Sequence, residues 1–198
     1  MTIRLGLIMI ALFALTGEAR QAVADTSSGQ VAPEVVYVAT PSDVVARMLR
    51  LANVTEDDVV YDLGCGDGRI VVRAARQYGA RGVGYDINPL RVAESLRNVR
   101  RNQVESLVTI ERRDIFTVDL SPATVVTLYL LPEMNERLIP QLKELQPGSR
   151  IVAHDYEIPG VAPDRTLTMI SKVDEVPHYL YLYITPLRLD EEAFEEEF

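Results

Sequence analysis

The chain has 198 residues, enough for one domain with a sizeable core and short appendages. Its 47% apolar and 25% charged content is ordinary for a soluble globular protein, and a net charge of −9 argues against a nucleic-acid binder that works by broad phosphate neutralisation. A single cysteine, Cys65, excludes an intramolecular disulfide, and with only two histidines, His154 and His178, no usual Cys/His structural zinc site and no metal site is expected.

Met1-Thr2-Ile3-Arg4 precedes an apolar run from Leu5 to Leu15, and Ala22-Val23-Ala24 follows before Asp25. A charged start, a short apolar stretch and an Ala-x-Ala site make the pattern of a secretory signal peptide. The run is short for a helix crossing a ~30 Å hydrocarbon core. Residues 1–24 are therefore expected to be a signal peptide or, uncleaved, a membrane anchor, giving an exported, periplasmic or anchored protein. A cytoplasmic enzyme translated from a later start stays open. Residues 25–35 read as a small, polar linker, residues 36–188 as the folded domain, and residues 189–198 as a solvated tail holding six acids.

Within the domain, Ser42 is placed to cap a helix whose apolar positions Val44, Val45, Met48, Leu49 and Ala52 recur at helical spacing. Asp58 to Leu63 follows as a strand with a Val-Val pair suited to a buried parallel sheet. Then come a helix over 68–78, a strand over 82–86, and a helix opened by Pro89 and running to about Val104. Strands over 107–111 and 123–130, a helix over 133–145 and a strand over 149–154 complete the alternation. Thr166–Lys172 and His178–Thr185 read as a closing antiparallel pair. The pattern predicts the α/β class: a three-layer, Rossmann-like sandwich over a mostly parallel seven-stranded sheet, ending in an antiparallel hairpin. In such folds ligands sit beyond the carboxyl ends of the strands. Asp62–Gly68, Asp86, Asp114, Leu130–Pro132 and His154–Asp155 all fall there.

Asp62-x-Gly64-x-Gly66-x-Gly68 joins a strand to a helix, where glycines permit backbone angles closed to other residues and let a ligand approach the main chain. Dinucleotide sites usually carry the third glycine one place later. The stretch Tyr61-Asp-Leu-Gly-Cys-Gly-Asp-Gly-Arg-Ile70 instead resembles motif I of the class I S-adenosylmethionine-dependent methyltransferases. The resemblance implies that Asp62, Gly64, Cys65, Gly66 and Gly68 cradle the methionine part of the cofactor. It also implies that Asp86 accepts from both ribose hydroxyls, that Asp114 reaches the adenine amino group, and that Ile87 and Ile115 face adenine. Read without it, Asp67 is a helix cap, Asp114 a solvated loop residue, the isoleucines packing residues, and Cys65 a small residue in a crowded turn.

Tyr37-x-x-Thr40-Pro41, Val44-Val45-x-x-Met48-Leu49 and Gly84-Tyr85-Asp86-Ile87-Asn88-Pro89 extend the likeness to one subgroup, the protein-lysine methyltransferases acting on ATP synthase c-subunits and the adenine nucleotide translocase. After the fourth strand, Leu128-Tyr129-Leu130-Leu131-Pro132 stands where methyltransferases of bases and glutamine carry Asn/Asp-Pro-Pro-Tyr. That departure disfavours adenine, cytosine and glutamine as acceptors. A methyl-acceptor protein or small molecule is expected, with no nucleic-acid partner and a membrane only through the N-terminal segment. Tyr37, Thr40, Tyr129, His154 and Asp155 are the acceptor-pocket candidates, with Pro132 and Glu133 beside them. His154-Asp155-Tyr156 reads either as a strand-end turn with an imidazole satisfied by backbone, or as a proton acceptor or an acceptor-orienting pair. A small-molecule N- or O-methyltransferase, a nicotinamide-dependent oxidoreductase and a noncatalytic cofactor-binding protein are the alternative readings.

Overall fold

A computed structural model describes residues 37–190. The signal or anchor segment, the linker and nearly all of the acidic tail lie outside the described residues. The elements, in chain order, are α1 (Ser42–Leu51), β1 (Val59–Leu63), α2 (Arg69–Tyr78), β2 (Arg81–Asp86), α3 (Pro89–Arg101), β3 (Val108–Arg112), a 3-10 turn (Ile115–Thr117), β4 (Val125–Leu128), α4 (Pro132–Lys143), β5 (Arg150–His154), β6 (Arg165–Ile170) and β7 (Pro177–Ile184).

The seven strands order as β3-β2-β1-β4-β5-β7-β6. β1 to β5 pair in parallel, whereas β7 runs antiparallel between β5 and β6. The central strands are apolar in succession because both sheet faces are covered. Val60 and Val152 face a core shared with Val44, Met48 and Leu49 of α1, Val71 and Ala74 of α2, and Val99 of α3. The alternate residues Tyr61, Leu63, Ile151 and Ala153 face a second core with Leu138 and Leu142 of α4 and Ile115 of the 3-10 turn. This is the three-layer α/β sandwich with a terminal hairpin that the strand–helix alternation predicts. Strand order reverses between β1 and β4, which opens the crevice of an α/β sheet at the ends of Leu63 and Leu128.

Differences from the sequence reading sit at element ends. Pro41 occupies the N-cap position of α1 and Ser42 makes no cap. The carboxylate of Asp43, in the first turn, instead accepts from the Ser171 hydroxyl and the Lys172 amide, tying α1 to the β6–β7 hairpin. β4 stops at Leu128 because its pairing with β1 and β5 ends there, which frees Tyr129 and Leu130 to form a loop. Pro132 opens α4 one residue earlier than Glu133, as a proline without an N–H can. Among the described residues no helix is long and apolar enough to cross a membrane.

Candidate active site

Contacts within the chain build the turn after β1. Gly64, Gly66 and Gly68 take φ of +79°, +56° and +74°, the left-handed region that a side chain resists. Carbonyl Tyr85 O accepts from the amides of Gly64 and Cys65, and the Gly66 amide donates to Asp86 Oδ2 at 2.9 Å. From α3, the Ser95 hydroxyl donates to Gly66 O at 2.6 Å and Asn98 to Asp67 O at 3.1 Å. A methyl group on Gly66 would come within 2.0 Å of the Tyr37 ring, which lies directly over the turn. On β2, a side chain at Gly84 would strike Cys65 Sγ at 2.9 Å, so that glycine lets the buried Cys65 tuck against the sheet. Burial pushes the Cys65 thiol far up, with the nearby Asp62 charge adding to it, so the thiol is inert packing.

Three carboxylates surround the turn. Asp86, at the end of β2, is 9% exposed; besides the Gly66 amide it accepts from Asn88 N–H at 2.8 Å, so both oxygens are anchored with lone pairs to spare. Asp62 is buried and accepts from the Thr127 hydroxyl at 2.7 Å. Burial pushes its carboxyl up to about 7, and the charges of Asp67 and Asp86 push the same way. Burial also works against the charge of Asp67, but the Arg69 guanidinium outweighs it through bonds at 2.7 and 2.9 Å and holds the carboxyl below the usual range. Asp67 also accepts from the Arg69 amide at 3.2 Å, so it holds both the main chain and the side chain of the first residue of α2, whose N-cap position is Gly68. The site therefore offers negative charge to a cationic ligand.

Asp114 lies at the end of β3, half-buried, and caps the 3-10 turn through the Phe116 amide at 3.0 Å. Ile87 stands 64% exposed at the rim beside Asp86, whereas Ile115 is buried in the core with Tyr85 and Leu128. Tyr37 shows why pattern reading saw only part of this site. Its ring packs under the Arg91 guanidinium at 4.5 Å and its hydroxyl accepts from the Asp67 amide at 3.4 Å. Arg69 in turn donates to Thr40 O at 2.7 Å, fastening the segment 37–40 to the turn. Arg69, Arg91 and Ser95 escaped the sequence reading because each acts through tertiary contact; only Asp67-x-Arg69 carried a local signal.

The acceptor-side candidates also converge. His154, at the end of β5, is wholly buried, with Nδ1 3.2 Å from the Thr40 hydroxyl and its ring 4.0 Å from that of Tyr129. Burial pushes this imidazole down to about 4. Asp155 takes a left-handed φ of +60° and accepts from the Tyr179 amide at 3.0 Å. Tyr129 and Tyr156 stack at 6.4 Å, and Tyr156 is 40% exposed, so these two rings form the accessible wall while His154 lies behind it. Glu133 is exposed and Pro132 half-buried at the start of α4. The structure adds His178, buried on β7, with its Nδ1 2.9 Å from His154 Nε2. Twenty-four residues separate the two histidines, so no ligand-like spacing announces them.

Residues 62–165 match the model of the ANTKMT methyltransferase domain family. A protein-lysine N-methyltransferase of Saccharolobus islandicus is 47% identical over 156 residues, covering 77% of this chain and 94% of that one. The Xenopus laevis lysine N-methyltransferase of the ATP synthase c-subunit is 32% identical over 80% of this chain and 69% of its own length. A Salinibacter ruber crystal structure, described as an RNA methyltransferase in complex with S-adenosyl-L-homocysteine, is 49% identical and superposes with a TM-score of 0.67 over 73% of this chain and 93% of that one. On the matched family model and these identities, the chain belongs to the ANTKMT methyltransferase domain family and is an S-adenosylmethionine-dependent methyltransferase.

Proposed function

We propose that this enzyme transfers the methyl group of S-adenosylmethionine to lysine side chains of a protein. The observation that carries this reading is the 47% identity, over nearly the whole length of the relative, to a protein-lysine N-methyltransferase. Asp62, the turn through Gly64, Cys65, Gly66 and Gly68, and Asp86 would hold the methionine and ribose parts of the cofactor. Asp114 and the rim residue Ile87 would border adenine, and buried Ile115 would back that wall.

Methyl transfer from a sulfonium is an in-line displacement whose thioether leaving group needs no acid. The nitrogen lone pair forms the new bond as the sulfur–carbon bond breaks, and the amine then releases a proton. Alignment of acceptor and methyl is the enzyme's main task, and orientation can supply ~7–11 kcal/mol. A lysine must first be neutral, which at pH 7 costs about 4.6 kcal/mol from a pKa near ~10.4. Burial beside a sulfonium cation lowers that cost, because both effects disfavour the ammonium. The Tyr129–Tyr156 wall suits such a chain: aromatic faces attract the cation on arrival and pack against the methylene stem. His154 supports that wall from behind, and its burial removes it from direct contact with an acceptor.

The 49% identity to a structure described as an RNA methyltransferase supports a second reading. The net charge of −9 counts against it. Incubation with tritium-labelled S-adenosylmethionine and extract of cells lacking the enzyme decides between them. Label that is lost to protease, survives nuclease and hydrolyses to Nε-methyl-lysine is expected. Label lost to nuclease would overturn the lysine assignment. The N-terminal sequence supports export or membrane anchoring. Mass measurement after fractionation is expected to find either Asp25 as the first residue or an intact N-terminus in the membrane fraction; an intact soluble chain would refute both.

A further inference from the structure

Where the end of β5 meets the start of β7, three potential ligand atoms form a nearly equilateral triangle. His154 Nε2 and His178 Nδ1 are 2.9 Å apart, and Asp155 Oδ2 lies 3.2 Å from the first and 3.1 Å from the second. An ion with bonds of ~2.0–2.1 Å to imidazole nitrogen and carboxylate oxygen would sit about 1 Å above such a triangle, with angles of about 95–100° between ligands. Among the described residues this is the one group of three such side chains that converges on a point.

The three atoms crowd together in the interior, where His154 is fully buried and His178 is 5% exposed. A cation above the triangle would be met by all three at once. The outer atoms are already held in the manner of metal ligands: His154 Nδ1 by the Thr40 hydroxyl at 3.2 Å, His178 Nε2 by Asp174, and Asp155 Oδ1 by the Tyr179 amide at 3.0 Å.

We propose that His154, His178 and Asp155 bind one divalent transition-metal ion of the zinc class, with Thr40 and Asp174 orienting the two imidazoles. Two imidazoles and a carboxylate suit zinc and its first-row neighbours, and three protein ligands leave a coordination position open. The ion cross-links β5 to β7. Through Thr40 it also steadies the segment that lays Tyr37 over the glycine turn.

The test uses the full chain without an affinity tag, stripped by a chelator, then titrated with Zn²⁺ by calorimetry and with Co²⁺ by visible absorption. One equivalent of each is expected, with the d–d bands of a low-coordinate Co²⁺ site and a higher melting temperature with Zn²⁺. Asp155→Asn should weaken Zn²⁺ binding at least about 100-fold, and Asp174→Asn about 10–100-fold, as loss of an orienting partner does. Circular dichroism melts show that each variant is folded. A folded wild-type chain that takes up no stoichiometric metal would overturn the proposal, as would equal affinity in wild type and both variants.

Discussion

Asp86 binds its own turn: its two oxygens fix the Gly66 and Asn88 amides, which orient the carboxylate proposed to meet the ribose. Asp86→Ala removes charge-assisted bonds worth ~1.5–3 kcal/mol each, and S-adenosylhomocysteine affinity measured by calorimetry should fall by about 2 kcal/mol or more. Asp62 supplies a pH dependence. With its carboxyl raised to about 7 by burial, the folded, ligand-free chain binds a proton that the unfolded chain releases near ~4. This group therefore lowers stability as pH rises from about 4 towards 7. A cationic cofactor favours the ionised carboxylate, so S-adenosylmethionine affinity should increase from pH 6 to pH 8, and Asp62→Asn should flatten that rise. Both aspartates could be singled out because each lies at or next to the end of a strand, in stretches that resemble the family's glycine motif and second-strand acid. That Tyr37 and Thr40 close over the turn is implied by the subgroup resemblance alone; no local spacing announces the contact of Tyr37 with Gly66, since the two lie far apart in the chain and meet only through tertiary packing.

At the scale of elements, one ion pair joins the sheet to the loop before it. Asp58 sits just before β1 and is 5% exposed; it accepts from Arg150 on β5 at 2.7 Å, from the Thr124 hydroxyl at 2.6 Å and from the Thr55 amide at 2.8 Å. Burial alone would raise this carboxyl, but Thr124, Arg150 and Thr55 together hold it below the usual carboxylate range. Asp58→Ala should cost about 3 kcal/mol, the lower end for a buried pair because Arg150 keeps partial access to water. The depressed native pKa means that this stability is present above pH ~4 and is lost as the pH falls through the native value, so wild type and variant melts should converge in acid. The buried strands could be read from sequence because covered faces demand unbroken apolar runs. Their ends could not, since β4 stops where both neighbours stop pairing. The 3-10 turn after β3 likewise depends on Asp114 capping it, a choice that a loop aspartate does not advertise.

Across the whole molecule, the reversal of strand order puts the glycine turn after β1 and the aromatic wall after β4 and β5 at one end of the sheet. Donor and acceptor functions should therefore separate on mutation. Tyr156→Ala should raise KM for a lysine acceptor about 3–5-fold, the value of an exposed cation–π contact, while leaving S-adenosylhomocysteine affinity unchanged. Gly66→Ala should do the reverse, because a methyl group there collides with Tyr37 and strains the turn. The alternation of strands and helices made the architecture readable, whereas His178 joined the acceptor end only through the antiparallel register of β7 with β5. The central claim is that the turn Asp62–Gly68 binds S-adenosylmethionine. Calorimetric titration of the full chain with S-adenosylhomocysteine tests it most directly. One saturable site is predicted, weakened by both Asp86→Ala and Gly66→Ala. No binding by a folded chain, or binding unchanged in both variants, would contradict it.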